Sequence, residues 1–180
     1  MIPIVWLAFA FAFSELLLMV VKRSKIGTAK TRKDRGSLIL LWIIITIGFT
    51  CAFFLAKPVR QFYTGAGFGF ITGGLIIRWI SIIQLGKSFT VDVAITDVAK
   101  LKTNGIYERV RHPSYLGLLL IIIGFSVTLS SFYSFLVLAV PVFLAISYRI
   151  SVEEKVLISE FGDSYLEYKT KTKKIIPGIY

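Results

Sequence analysis

One cysteine and one histidine are all that this 180-residue chain holds of the two side chains most used to bind metals. Cys51 stands alone, so no intrachain disulfide can form, and a Cys/His metal site lacks ligands. Acidic residues are also scarce, 10 against 21 Lys and Arg, giving a net charge of +11. That balance is met in nucleic-acid-binding proteins. Here the basic residues sit beside apolar blocks, where they orient a membrane protein and meet anionic lipid, so nucleic acid is not an expected partner. Charge of either sign totals only 17%, below the roughly 25% of soluble domains. With 56% hydrophobic residues and a mean hydropathy of +0.76, the chain reads as an integral membrane protein.

The apolar residues come in blocks of spanning length, at about residues 2–21, 38–56, 65–85, 113–130 and 132–148. A hydrocarbon core of roughly 30 Å needs about 20 helical residues, and backbone in lipid must satisfy its own hydrogen bonds. The expected fold is therefore all-α, with five transmembrane helices in one domain over residues 1–180. The last two blocks form a helical hairpin around Ser131. The first block lacks basic residues ahead of its apolar core and reads as a retained helix rather than a signal peptide. Pro113 suits the first turn of helix four, and Pro141 is expected to kink helix five. A further helix is expected over about 152–169, breaking near Phe161-Gly162.

Lysine and arginine alternate between loops. Seven lie between Lys22 and Gly36, two (Lys57 and Arg60) in the next loop, and five between Gly86 and His112. The hairpin turn has none, and Lys155, Lys169, Lys171, Lys173 and Lys174 follow it. By the positive-inside rule the N-terminus is outside and the C-terminus cytoplasmic. Within the Gly86 to His112 connection, Val91, Val93 and Ile95 alternate with polar residues, which suggests a short strand. This topology gathers the polar groups at the cytoplasmic face.

Among these groups, Arg111-His112-Pro113-Ser114-Tyr115-Leu116-Gly117 stands where basic sequence turns apolar. Arg149 and Glu153-Glu154 stand at the far end of the hairpin. Four residues apart on a helix, Arg149 and Glu153 share a face. Singly each has a plainer reading: His112 as a cap or headgroup contact, Arg149 as a membrane anchor, the glutamates as a solvated helix start. Glu15 and Arg78 fall inside spans, where ionisable residues are costly and need a partner or a cavity. They are expected to pair across helices one and three or to line a cavity; alternatively Arg78 snorkels. Gly67 and Gly69 do not open a dinucleotide loop, because GxGxxG would need glycine where Thr72 stands. Gly65, Gly69 and Gly73 recur every four residues and are expected to line a packing face.

The chain resembles the isoprenylcysteine carboxyl methyltransferase family and the wider membrane methyltransferases, including phospholipid N-methyltransferases. The resemblance lies in Asn104-Gly105-Ile106-Tyr107, the RHPSYLG run, Arg149 with Glu153-Glu154 and Leu157, Phe161-Gly162-Asp163-Ser164-Tyr165-Leu166-Glu167-Tyr168, and Ile176-Pro177. It covers about residues 84–180. It implies S-adenosylmethionine as methyl donor in a cytoplasmic pocket formed by Ala99, Lys100, Leu101, Lys102, Tyr107, His112, Pro113, Ser114, Tyr115 and Glu153. It also implies Arg149 facing the substrate, with Arg149 and Glu153 as the catalytic residues. In one departure, Ala99 stands where relatives often carry histidine, so any contact there is through backbone.

The resemblance implies a lipid-like or prenylated acceptor entering from the bilayer, methylated on a carboxylate or a hydroxyl. A carboxylate is already ionised at neutral pH and needs no base; a hydroxyl needs one, with Glu153, Glu154 and His112 as candidates. A phospholipid amine acceptor, a membrane NADPH-dependent reductase and a non-catalytic membrane subunit are the alternatives.

Overall fold

The computed structural model describes residues 2–21, 29–34, 36–58, 61–88, 93–96 and 101–180. Five apolar helices stand where the blocks predict them: α1 (Ile2–Val21), α2 (Gly36–Phe54), α3 (Gln61–Leu85), α4 (Pro113–Thr128) and α5 (Phe132–Phe161). By length and composition α2, α3 and α5 can cross a membrane. α4 has 16 residues, a rise of about 24 Å, and is shorter than a typical hydrocarbon core. Pro113 opens α4 in its first turn. Ser131 caps α5, its hydroxyl accepting from the Ser134 N–H.

α5 differs from expectation. It does not stop at Tyr148 but runs unbroken through Pro141 to Phe161, 30 residues in all, a length of about 45 Å. No proline or glycine lies between Pro141 and Gly162, so nothing interrupts the hydrogen-bond ladder where the sequence turns polar. The helix expected over 152–169 is thus the end of α5 followed by α6 (Asp163–Lys171). The break falls at Gly162, whose φ of +52° suits a residue without a Cβ.

Helix pairing sets the ends of the molecule. α3 packs antiparallel on α4 at backbone contact: a Cβ on Gly74 would meet the Gly117 carbonyl at 2.6 Å, and one on Gly124 would meet the Gly67 carbonyl at 2.8 Å. The small-residue packing is real, but the face is not the expected one, since added Cβ atoms at Gly65, Gly69 and Gly73 meet nothing within 4 Å. The reason is rotational. Seven residues, as from Gly67 to Gly74, return to within about 20° of the same direction, whereas two steps of four drift by about 80°. α5 packs antiparallel on α2, with Gly48 against Leu138 and the Ser134 hydroxyl donating to the Ala52 carbonyl. Ile45, Ile71, Ile121, Leu138, Val142 and Ile146 fill the core between them.

Two contacts tie the connections together at opposite ends. At one, β1 (Ala29–Asp34) pairs antiparallel with β2 (Val93–Thr96), Ala29 opposite Thr96 and Asp34 opposite Val93. β2 falls within the alternating stretch; its polar partner β1 carries no strand pattern. This ribbon joins the α1–α2 and α3–α4 connections, the two richest in basic residues. At the other end, the Lys57 N–H donates to the Leu129 carbonyl, joining the α2–α3 connection to the hairpin turn.

Candidate functional site

The RHPSYLG run and the later Arg149–Glu154 segment meet at the ribbon end of the molecule. Antiparallel packing of α4 and α5 places the first turn of α4 beside the eighteenth to twenty-second residues of α5. The Tyr115 hydroxyl donates to Glu153 Oε2 at 2.9 Å and accepts from Arg149 Nε at 2.8 Å. One phenol oxygen therefore stands between guanidinium and carboxylate. Arg149 Nη1 also donates to the Ser37 hydroxyl, in the first turn of α2, at 2.8 Å. Arg149 and Ser37 are both buried, and Glu153 is half-buried.

Glu154 faces elsewhere, since its α5 neighbour is turned about 100° away. It accepts from Arg111 Nε at 2.9 Å, and Lys169 Nζ lies 3.5 Å from its other oxygen. Arg111 further donates to the main-chain carbonyls of Lys169 and Thr172. Glu154 thus neutralises a buried arginine that fastens α6 and the following strap to the start of α4. The main chain continues this join: the Arg111 and His112 N–H groups donate to the Lys173 and Lys174 carbonyls at 2.8 and 3.0 Å.

His112 is buried and precedes Pro113 without capping the helix through its side chain. Its ring lies 5.8 Å from that of Tyr115. Nε2 comes no closer than 3.4 Å to Glu154 and forms no hydrogen bond among the described residues. Tyr107 occupies a 3₁₀ turn, Gly105–Glu108. Its hydroxyl donates to the Ser81 carbonyl on α3 at 3.1 Å, and its own carbonyl accepts from the Tyr168 hydroxyl at 2.6 Å. Burial and the Glu153 charge push the Tyr107 phenol up, so it is a neutral donor at physiological pH. Burial likewise raises Tyr168, to about 12, against the lowering pull of Arg111.

Glu15 and Arg78 pair, deciding between the alternatives open from sequence. Arg78 Nη2 donates to Glu15 Oε2 at 2.8 Å and Nε donates to the second oxygen, a two-point bond between α1 and α3. Arg78 Nη1 then reaches the Ser114 carbonyl at 3.1 Å and the Ser114 hydroxyl at 2.9 Å. The buried pair is thereby fastened to the first turn of α4, in the middle of the expected cofactor wall.

Of the residues singled out by sequence, the structure brings together Tyr107, His112, Pro113, Ser114, Tyr115, Arg149 and Glu153. Leu101 and Lys102 lie half-buried in the segment leading to Tyr107. Ala99 and Lys100 lie outside the described residues. Sequence reasoning missed Ser37, which lies in no recognisable motif, and it offered Glu154 beside Glu153 and His112 as a candidate base. No signal marks Ser37. The four-residue spacing of Arg149 and Glu153 did separate them from Glu154, as helix geometry requires.

Residues 67–159 match the model of the isoprenylcysteine carboxyl methyltransferase family. The chain is 37% identical over 128 residues to a protein-S-isoprenylcysteine O-methyltransferase of Schizosaccharomyces pombe, covering 70% of this chain and 54% of that protein. It is 32% identical over 144 residues to protein-S-isoprenylcysteine O-methyltransferase A of Arabidopsis thaliana, covering 78% and 73%. The chain thus spans about half the length of the fission-yeast relative. In three dimensions it is similar to a eukaryotic intramembrane Ras methyltransferase, with a TM-score of 0.69 at 22% identity, over 96% of this chain and 64% of that one.

Proposed function

Because the chain belongs to the isoprenylcysteine carboxyl methyltransferase family, we propose that it methylates the carboxylate of a prenylated cysteine with S-adenosylmethionine as donor. We take residues 1–180 as one catalytic domain. Its five apolar helices all cross the bilayer, and the ribbon end, which carries the basic connections, faces the cytoplasm. The observation that carries this reading is the Arg149–Tyr115–Glu153 chain, a cation and an anion held apart by one neutral hydroxyl.

The residues present fit such a donor. Glu153 is a half-buried carboxylate whose negative charge suits a sulfonium. His112 Nε2 is a buried polar atom whose charged neighbour, Glu154, stands at a long 3.4 Å among the described residues, and a buried polar atom so weakly satisfied has room for a ligand or water. His112, Ser114, Tyr115 and Glu153 would hold the donor, with Tyr107 behind them. When bound, S-adenosylmethionine supplies an electrophilic methyl group.

The chain's own residues supply binding and alignment. Arg149 offers a planar, permanently charged fork that matches a carboxylate. Tyr115 keeps that fork from collapsing onto Glu153, so each charge serves a different ligand. No general base is required, because a carboxylate acceptor is ionised at neutral pH. Alignment of nucleophile and methyl group then carries the rate, an effect reaching about 7–11 kcal/mol in well-oriented systems. A lipid amine in place of the carboxylate would set a cation or its proton against Arg149, which disfavours the amine reading.

Titration calorimetry with S-adenosylhomocysteine tests the donor site. The parent chain binds it and Glu153→Gln weakens binding at least tenfold. Methyl transfer to a farnesylcysteine with a free carboxylate tests the acceptor, and Arg149→Ala lowers that transfer while S-adenosylhomocysteine affinity holds. Transfer to an amine lipid but not to the farnesylcysteine would overturn the assignment.

A further inference from the structure

Helix α2 carries no motif, yet its Ser37 hydroxyl touches the acceptor side of the site. The Ser37 hydroxyl accepts from Arg149 Nη1 at 2.8 Å, and the Tyr115 hydroxyl accepts from Nε at 2.8 Å. Two acceptors on different nitrogens, one from α2 and one from α4, fix both the direction and the plane of the guanidinium. Each of them restricts the swing of the group about its long side chain. Both of these acceptors are neutral hydroxyls. Ser37 is 3% exposed, as is Arg149, so water does not readily replace the serine hydroxyl if it is removed.

We propose that Ser37 is a positioning residue for the acceptor: with Tyr115 it sets the plane of Arg149, and so makes α2 part of the selection for a planar two-oxygen group. The inference rests on Arg149 facing the acceptor, as argued above. Arginine's advantage over lysine for carboxylates lies in its fixed planar fork. That advantage is realised only when the plane is held before binding, since ordering it afterwards costs affinity.

The test uses the full chain in lipid nanodiscs, with farnesylcysteine bearing a free carboxylate as acceptor. Ser37→Ala is expected to raise KM for farnesylcysteine about tenfold or more, the worth of one hydrogen bond to a charged group. S-adenosylhomocysteine affinity and thermal midpoint are expected to stay at parental values. Ser37→Thr, which restores the hydroxyl, is expected to restore KM. An unchanged KM in Ser37→Ala overturns the inference, as does a parallel fall in S-adenosylhomocysteine affinity, which would mark general damage. Arg149→Lys separates the two levels. If it raises acceptor KM while Ser37→Ala does not, the Ser37 inference alone fails; if it leaves acceptor KM untouched, the inference and the functional reading beneath it both fall.

Discussion

Gly117 lies directly against Arg78. A Cβ on Gly117 would come within 2.7 Å of the Arg78 backbone nitrogen and 2.8 Å of its Cβ. The RHPSYLG run thus ends in glycine at a point where α3 passes α4 at backbone distance. The same closeness lets the Arg78 guanidinium reach Ser114.

Gly117→Ala is therefore expected to force the two helices apart and lower stability by about 1–3 kcal/mol, the usual cost of overpacking. Gly69→Ala, where an added Cβ meets nothing within 4 Å, is expected to leave stability near parental. Thermal unfolding in detergent micelles compares them, and equal losses at the two positions would refute the packing assignment.

The Glu15–Arg78 pair is a buried two-point bond between α1 and α3. Removing one partner strands a charge, which costs about 3–5 kcal/mol at buried pairs. Glu15→Gln is expected to fall in that range and to weaken S-adenosylhomocysteine binding, because Arg78 also fastens Ser114. The double variant Glu15→Gln with Arg78→Met strands no charge and is expected to lose less than the sum of the singles. Chemical denaturation of all three variants supplies the cycle, and strict additivity would show that the pair is not energetically coupled.

Arg111 binds the Glu154 carboxylate and the carbonyls of Lys169 and Thr172 through one guanidinium. Lysine is a point cation on a flexible stem and cannot span three acceptors. Arg111→Lys is expected to loosen the strap after α6, with faster amide exchange at Arg111, His112 and Lys173, whose N–H groups make the join. Hydrogen exchange read by mass spectrometry checks this. Parental protection at those amides would assign the join to the main chain alone.

Burial raises the phenols of Tyr107, Tyr165 and Tyr168; Tyr168 moves from 10.0 to about 12. A folded-state pKa above the unfolded one gives stability that is complete below the unfolded value and is lost as pH rises through the folded one. The fold is thus expected to weaken between about pH 10 and about pH 12 through these groups, and not between pH 7 and 9. The Tyr165 hydroxyl is buried without a hydrogen-bond partner among the described residues. Tyr165→Phe is therefore expected to be neutral or stabilising by about 1 kcal/mol at neutral pH and to blunt the alkaline loss. Thermal midpoints measured against pH decide it; a midpoint lowered by several degrees at pH 7 would mean that the hydroxyl has a partner in solution.

Most of the helical layout was legible because its causes are local. A run of about 20 apolar residues has few stable forms other than a helix in lipid. Three residues, Leu129 to Ser131, between α4 and α5 leave little choice but an antiparallel hairpin. The spacing of Arg149 and Glu153 places them on one side of any helix. Where local cues were weaker, the reading slipped. The end of α5 was set at the change of polarity near Tyr148, but a helix ends where its hydrogen bonds are interrupted, and here that is Gly162.

The composition and order of residues by themselves determined a membrane protein of apolar helices, the polar groups at one end, and the resemblance that names its chemistry. Only the tertiary structure decided that Gly67 and Gly74, not Gly65 and Gly69, meet α4; that Glu154 serves Arg111 while Glu153 serves Tyr115; and that Ser37 reaches Arg149 across 112 positions. The physical reason is rotation about the helix axis. A helix apolar on every side, as α2 nearly is, carries no amphipathic mark of which face turns inward. That choice is made by close packing against neighbours distant in the chain, and those contacts leave no local trace in its order.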